Sequence, residues 1–511
     1  MRWVPLLLVA ACGGAERPPI CPTAPSSSAS AARAAASPAE PAFAVTFTPS
    51  RKPPTLDVRV RAKARSGLER WAAVTRAVPE NVTARDAGGP IATTWKDGVL
   101  TLAAAPRGFV EVDYRLPAAT EGEVVVSPSG YARFYGEPLL LPVDLAKERT
   151  HVSIDFDFGG GPSDSVASSF GLGKHVEAEL EPIDLSKGAW LVGDVFTSRF
   201  HSIEGRDDFA WVGYAAFDPR WISAEIATLR TSVSQFFGDG SEPPFTMLLV
   251  VDKRAPIEST PISIYPRWRG LFAIADVDAP WEIGARMSVA LALVSRFVSR
   301  LGGDVPVVSG LARWAARDVL LGSGTMTPLE YADEINGEIA ATLFADKNPR
   351  AASVARVALE ASRVDAVLRK SSSGMRTMRK VLREWVVAGK AVTEKDLADA
   401  ASGKEPDDTF GKCFSRGPTK FDELDLGFDD AKTRATKKLT GVHGAAQKAG
   451  LREGDALVSI RYDESQAEHP VRVVVERDGK KIEVKYRPVG RNKIAQGWRV
   501  VPGIDPSSCT R

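Results

Sequence analysis

The chain has 511 residues, of which 44% are hydrophobic and 25% charged, and its formal net charge is +2. That length exceeds what one hydrophobic core can organise, so about three domains are expected. Acidic and basic residues are interspersed, which excludes nucleic-acid binding as a main role; the basic stretch 350–383, with Arg369, Lys370, Arg376, Arg379 and Lys380, reads as a solvated helix face.

The first twelve residues read as an address. Arg2 precedes an apolar run, Trp3 to Ala11, that ends at Cys12. The run is far shorter than the roughly 20 apolar residues that cross a bilayer, so residues 1–12 read as a processed signal. Val9-Ala10-Ala11-Cys12 fits a bacterial lipobox, in which small residues permit cleavage and the Cys12 sulfur takes the lipid. The Ala-, Ser- and Pro-rich residues 13–42 form a tether with nothing to build a core. The expected location is the bacterial cell envelope, lipid-anchored; Gly13 after the cysteine favours the outer membrane, facing the periplasm or the surface. Cys21 in the tether is left as a free or intermolecular thiol. Cys413 and Cys509 bracket the last domain, and in an exported protein they are expected to form a disulfide.

Residues 43–185 are β-rich. Phe43 to Thr48, Leu56 to Val60, Gly98 to Leu102, Gly108 to Tyr114 and His151 to Phe156 alternate with period two, and predict an antiparallel sandwich. Gly159-Gly160-Gly161 is followed by Pro162, not by the Lys-Ser/Thr pair of a phosphate loop, and reads as a hairpin.

The pattern becomes helical over 186–405. Ile222, Ile226, Leu229, Val233 and Phe236 make one stripe behind Pro219, closed by Gly238. Thr246 to Val251 and Leu271 to Ala275 read as buried strands. Helices are predicted from Trp281 to Leu301, from Leu311 to Leu321, from a capping box at Thr327-Pro328-Leu329-Glu330 through Ile339, and at 351–370, 375–388 and 393–400. Asp276 and Asp278 make a D-x-D pair of the kind that could bind a hard cation, and read as solvated surface.

Residues 410–501 return to β structure, with strands at Leu439 to Val442, Ala456 to Ile460, Val471 to Val475 and Lys481 to Tyr486, and a short helix at Ala445 to Leu451; residues 502–511 are a tail. Gly444-Ala445-Ala446-Gln447-Lys448-Ala449-Gly450-Leu451-Arg452-Glu453-Gly454-Asp455 resembles a run found in PDZ domains. Leu426, Gly427 and Phe428 then stand where that family captures a peptide carboxylate on backbone N–H groups while the peptide adds as a strand. Asp425 replaces the loop's first glycine and would repel such a carboxylate.

With that segment placed, the whole chain resembles the glycyl aminopeptidase family of PDZ-bearing, thermolysin-like zinc peptidases. Gln235 to Asp239, Thr325 to Tyr331, Asp365 to Arg369, Met378 to Arg383 and Val392 to Leu397 carry the likeness in order. It implies a multidomain α+β protein: a β-rich N-terminal sandwich, an α-rich thermolysin-like peptidase domain and a C-terminal PDZ domain. It also implies zinc, held by H-E-x-x-H and a later Glu. Here Leu291 and Ser295 stand where the two His ligands belong, Ala292 where the general base belongs, and Ser309 where the third ligand belongs. No histidine occurs from 202 to 442, and no tyrosine between Tyr331 and Tyr462.

The expectation is therefore a degenerate member with no catalytic residues, no metal site and no cofactor. It would be a pseudopeptidase-like lipoprotein that binds peptides or protein segments through its PDZ domain and the membrane through its anchor. Two alternatives stand beside it: a metallo-aminopeptidase with ligands from elsewhere, such as His175 or His201, and an envelope PDZ adaptor.

Overall fold

The computed structural model describes residues 41–511 apart from 66, 76–77, 120–121, 128–130, 145–146, 159–164, 203–204, 240–243, 253–261, 402–409, 463–466, 468, 506–508 and 510–511, and without the side chains of 201–206. Cys12, Cys21 and the glycine run 159–161 lie outside the described residues.

The N-terminal third carries three sheets. A seven-stranded sheet runs in the order His175–Leu180, Thr150–Phe156, Phe43–Arg51, Pro54–Lys63, Phe109–Pro117, Glu80–Asp86, Gly89–Ile91. Period-two alternation buries Phe43, Val45 and Phe47 on one face. They meet Phe134 and Trp190 from a five-stranded sheet, with ring centroids 4.9 Å apart for Phe47–Phe134 and 5.2 Å for Phe134–Trp190. The expected purely antiparallel pattern is broken once: Phe43–Arg51 pairs parallel with Thr150–Phe156. The first described strand therefore lies between Pro54–Lys63, its hairpin partner, and Thr150–Phe156, which is distant in sequence, a pairing that local alternation does not encode. Trp190 sits on Ala189–Gly193, which pairs within this domain, so its sheets extend beyond residue 185.

Next comes a five-stranded sheet ordered Phe196–Ser202, Gly205–Val212, Phe245–Val251, Gly270–Ala275, Ile262–Arg267, parallel at its centre and antiparallel at both edges. Both faces of its middle strand are covered, so Phe245–Val251 is buried throughout. Leu248, Val250, Phe272 and Ile274 face the N-terminal domain, where Ala167, Ala189 and Leu191 receive them. Met247, Leu249, Val251, Leu271 and Ala273 face the helices.

Those helices are α1 (Pro219–Phe237), α2 (Ile283–Val298), α3 (Val305–Gly322), α4 (Pro328–Leu343), α5 (Pro349–Ser371), α6 (Met378–Ala388) and α7 (Glu394–Ala400). Helix α1 ends at Gly238 in the left-handed region, φ 70°. The capping box at Thr327 and Glu330 is formed. Helix α3 starts six residues earlier than the spacing predicts, because Pro306 sits in its first turn, where a missing N–H costs nothing. Gly310 lets α3 approach α5: a Cβ there would lie 2.8 Å from the Val354 carbonyl oxygen.

The C-terminal part has two pieces. Strands Phe414–Leu424 and Val489–Val500 form a long ribbon lying on α4. Strands Ala456–Arg461, Val471–Arg477 and Lys480–Tyr486 form a separate small sheet with α8 (Asp430–Thr436) and α9 (Gly444–Lys448). Leu439 to Val442 is not a strand. Its N–H groups are taken elsewhere: Thr440 by the Thr433 hydroxyl, and Gly441 and Val442 by the Glu453 carboxylate at 3.0 and 2.9 Å. Cys413 and Cys509 are disulfide-bonded, with Cα atoms 5.5 Å apart. Both lie in the core shared with the helices, beside Phe410, Phe414 and Trp498.

Candidate functional site

Helix α2 is buried nearly all round. Ala285, Met287, Val289, Ala290, Ala292, Leu293, Val294, Phe297 and Val298 are all covered. A narrow stripe at Gly284, Ser288, Leu291, Ser295 and Ser299 is half-buried or exposed. Leu291 and Ser295 thus share one face, a helical turn apart, as two metal ligands would. Helix α2 lies against α3 and against the edge strand Ile262–Arg267. Leu291, Ile264 and Val308 all pack on the same core from these three elements, and Ser309 follows Val308 on α3, half-buried.

The positions that the resemblance assigns to zinc, Leu291, Ser295 and Ser309, carry none of its usual donors. Zinc takes thiolate, imidazole or carboxylate ligands; leucine and alanine have no lone pair to give, and serine offers only a neutral hydroxyl. Among the described residues, no group of three or more His, Cys, Asp and Glu side chains is arranged to hold a metal ion. The residues present do not fit the group that the resemblance implies.

Neighbouring carboxylates are used for structure. Asp276 is buried and pairs with Arg461 of the C-terminal sheet, while its Oδ1 accepts from the Asp278 N–H at 3.3 Å. The expectation of a solvated pair is thus corrected: Asp276 ties two parts of the chain together. His175, on the outer strand of the seven-stranded sheet, directs Nδ1 to Asp155 Oδ1 at 2.6 Å and Nε2 to Glu177 at 3.4 Å. Its pKa is raised, first by the Asp155 hydrogen bond. The imidazole is committed to its own domain. The basic stretch is also largely committed: Arg369 bonds Asp365, Arg363 bonds Glu360, and Arg379 bonds the Phe236 carbonyl.

Leu426, Gly427 and Phe428 are brought together by the fold, but turned inward. Leu426 and Phe428 are buried in the core of the small sheet. The Gly427 N–H donates to Asp425 Oδ1 at 3.0 Å, within the loop itself. Gly427 has φ 73°, and a Cβ there would lie 2.7 Å from the His443 carbonyl oxygen. His443 Nε2 is 3.4 Å from Asp425 Oδ2; its pKa is raised by the Gly441 carbonyl and then by Asp425. Strand addition needs an extended, unpaired edge beside the loop. Here Asp429 caps α8 directly after Phe428, so a helix stands in that place. The Gly427 N–H of this loop is thus engaged by Asp425, and α8 follows the loop directly.

A buried ionic cluster between α3, α4 and α5 was not legible from the sequence. Arg317 is 0% exposed and Glu338 1%. Arg317 bonds Glu338 and, at 2.7 Å, the Ser362 hydroxyl; Arg313 bonds Glu338 at 3.0 Å and Glu334 at 2.9 Å. Burial acts to lower the Arg317 pKa, but Glu338, Tyr331 and Asp318 outweigh it and hold the guanidinium charged. The i, i+4 spacing of Arg313 and Arg317 against Glu334 and Glu338 is its one local signal.

No protein-family model and no curated protein matches the sequence. Solved structures do match in fold. An aminopeptidase N family protein from Idiomarina loihiensis superposes with a TM-score of 0.62 at 13% identity, covering 92% of this chain and 99% of that one. An M1 zinc metallopeptidase from Deinococcus radiodurans gives 0.44 at 13% identity, covering 70% of this chain and 89% of that one. The chain therefore has a multidomain α+β, peptidase-like fold.

Proposed function

We propose that this chain is a pseudopeptidase: a lipid-anchored protein of the bacterial cell envelope that keeps a peptidase-like fold for binding proteins or peptides, not for hydrolysis. The observation that carries the reading is the donor set. The face of α2 that would offer two imidazoles offers Leu291 and Ser295, the base position is Ala292, and α3 offers Ser309. The half-buried Leu291 packs on the core of α2 and contributes part of the about 1.5–3 kcal/mol that full burial of a leucine gives, where an imidazole would need a partner. The finer affiliation, with the glycyl aminopeptidases, rests on the order of the three parts and the motifs that carry it.

Within this reading the C-terminal PDZ-like segment acts as a brace. Its loop is closed by Asp425, and Asn336 on α4 makes two hydrogen bonds to the Trp498 backbone, each 2.8 Å. The rival reading, an active metallo-aminopeptidase, would need His175, which is held by Asp155, or His201, whose side chain lies outside the described residues. The assay that separates the two is hydrolysis of aminoacyl p-nitroanilides with and without a strong chelator. No chelator-sensitive turnover is expected; zinc-dependent release of the anilide would overturn the proposal. For the anchor, Cys12→Ser is expected to move the protein from the membrane to the soluble fraction, or to block signal cleavage. Salt-resistant membrane association unchanged in that variant would contradict lipidation at Cys12.

A further inference from the structure

A cleft of about 490 Å³ opens on a different side of α2, lined by Trp221, Glu225 and Thr228 of α1, Arg286 of α2, and Thr325 and Glu330 at the start of α4. Arg286 is five residues before Leu291, about 140° round the helix, so this cleft is separate from the old zinc face. Its floor is built around one guanidinium. Glu225 is nearly buried; its Oε1 accepts from Arg286 Nε at 2.9 Å and from the Trp281 indole N–H at 3.0 Å. That grip fixes the Arg286 side chain through Nε and leaves the Nη pair without a hydrogen bond among the described residues. Glu330 is the next carboxylate, but its Oε2 is held by the Thr327 N–H and hydroxyl at 2.7 and 2.8 Å. Its Oε1 is 3.8 Å from Arg286 Nη1, beyond hydrogen-bond range. Beside them stands Trp221, 54% exposed, its ring centroid 6.0 Å from the Arg286 Cζ.

We infer that this cleft binds a small carboxylate carried on an apolar body, such as an N-blocked hydrophobic amino acid or the C-terminal residue of a peptide. A guanidinium anchored through Nε presents two parallel N–H groups, the geometry that accepts a carboxylate in bidentate fashion. The exposed indole supplies the apolar wall and Thr228 and Thr325 add hydroxyls, the mix of one aromatic surface and few polar groups that small-molecule sites use. Glu225, paired with Arg286 Nε, and Glu330 are the like charges that the ligand must tolerate. The inference stands independently of whether the chain hydrolyses peptides.

Calorimetric titration of the purified protein with N-acetyl-L-phenylalanine and with its amide tests this. The acid is expected to bind roughly tenfold or more tightly than the amide, the difference a charge-assisted pair makes. Arg286→Gln should abolish that preference. Glu330→Gln, which keeps the helix cap, should tighten the acid severalfold and leave the amide unchanged. A blocked tetrapeptide ending in phenylalanine separates the sources: binding as tight as the acid points to a peptide terminus, and weaker binding to a free small carboxylate. Equal binding of acid and amide, no saturable binding of either, or no gain in Glu330→Gln would overturn the inference; the last of these holds even if Arg286→Gln does not fold.

Discussion

Replacing Glu338 with alanine is expected to destabilise the protein by about 3–5 kcal/mol, the cost of leaving a buried partner charge uncompensated. The stranded group is Arg317, fully buried between α3 and α5, with Tyr331 and Phe410 on its flanks at 5.3 and 5.9 Å from the ring centroids. Arg313 would lose its Nε partner at the same time. The double change Arg317→Met with Glu338→Leu should recover most of the loss, because the desolvation of both charges is removed along with their attraction. Urea unfolding of the three proteins checks this. A single variant within about 1 kcal/mol of the parent would mean that the cluster is solvated, a cost in the range of an exposed pair.

Removing the disulfide should have a comparable effect. Cys413 and Cys509 are 96 residues apart, and closing a loop of about 100 residues removes about 4–5 kcal/mol of unfolded-state entropy in the chain model. Because both cysteines sit in the helical core with Phe414 and Trp498, Cys413→Ser is expected to release the ribbon and tail from α4 before the rest unfolds. Urea unfolding with and without reductant reads the stability change, and hydrogen exchange of the ribbon amides reads its location. Two free thiols in the native protein, or identical unfolding in both conditions, would refute the expectation.

How far these features could be read from the sequence depended on how local their cause is. The apolar stripe of α1, the capping box at Thr327 and the all-apolar run near Met247 announce themselves within one element, and the structure places those elements within a few residues of expectation. The strand expected at Leu439 failed because side chains from Thr433 and Glu453 took its N–H groups, a choice made by residues outside the segment. The edge strand Phe196–Ser202 and its neighbour Gly205–Val212 carry too much polar character for the pattern to single them out. The absence of histidine over 202–442 needs no fold to be seen. The inward turn of the Leu426 loop, the pairing of Asp276 with Arg461 and the cleft at Arg286 were not legible, since each joins residues from elements far apart in the chain.

The central proposal is that this peptidase-like fold binds no zinc. Elemental analysis of the purified protein after incubation with excess zinc and gel filtration tests it most directly. The expected result is no stoichiometric zinc, with the same content in the parent and in a Ser295→Ala, Ser309→Ala variant. One tightly held zinc per chain, removed only by a strong chelator, would contradict it.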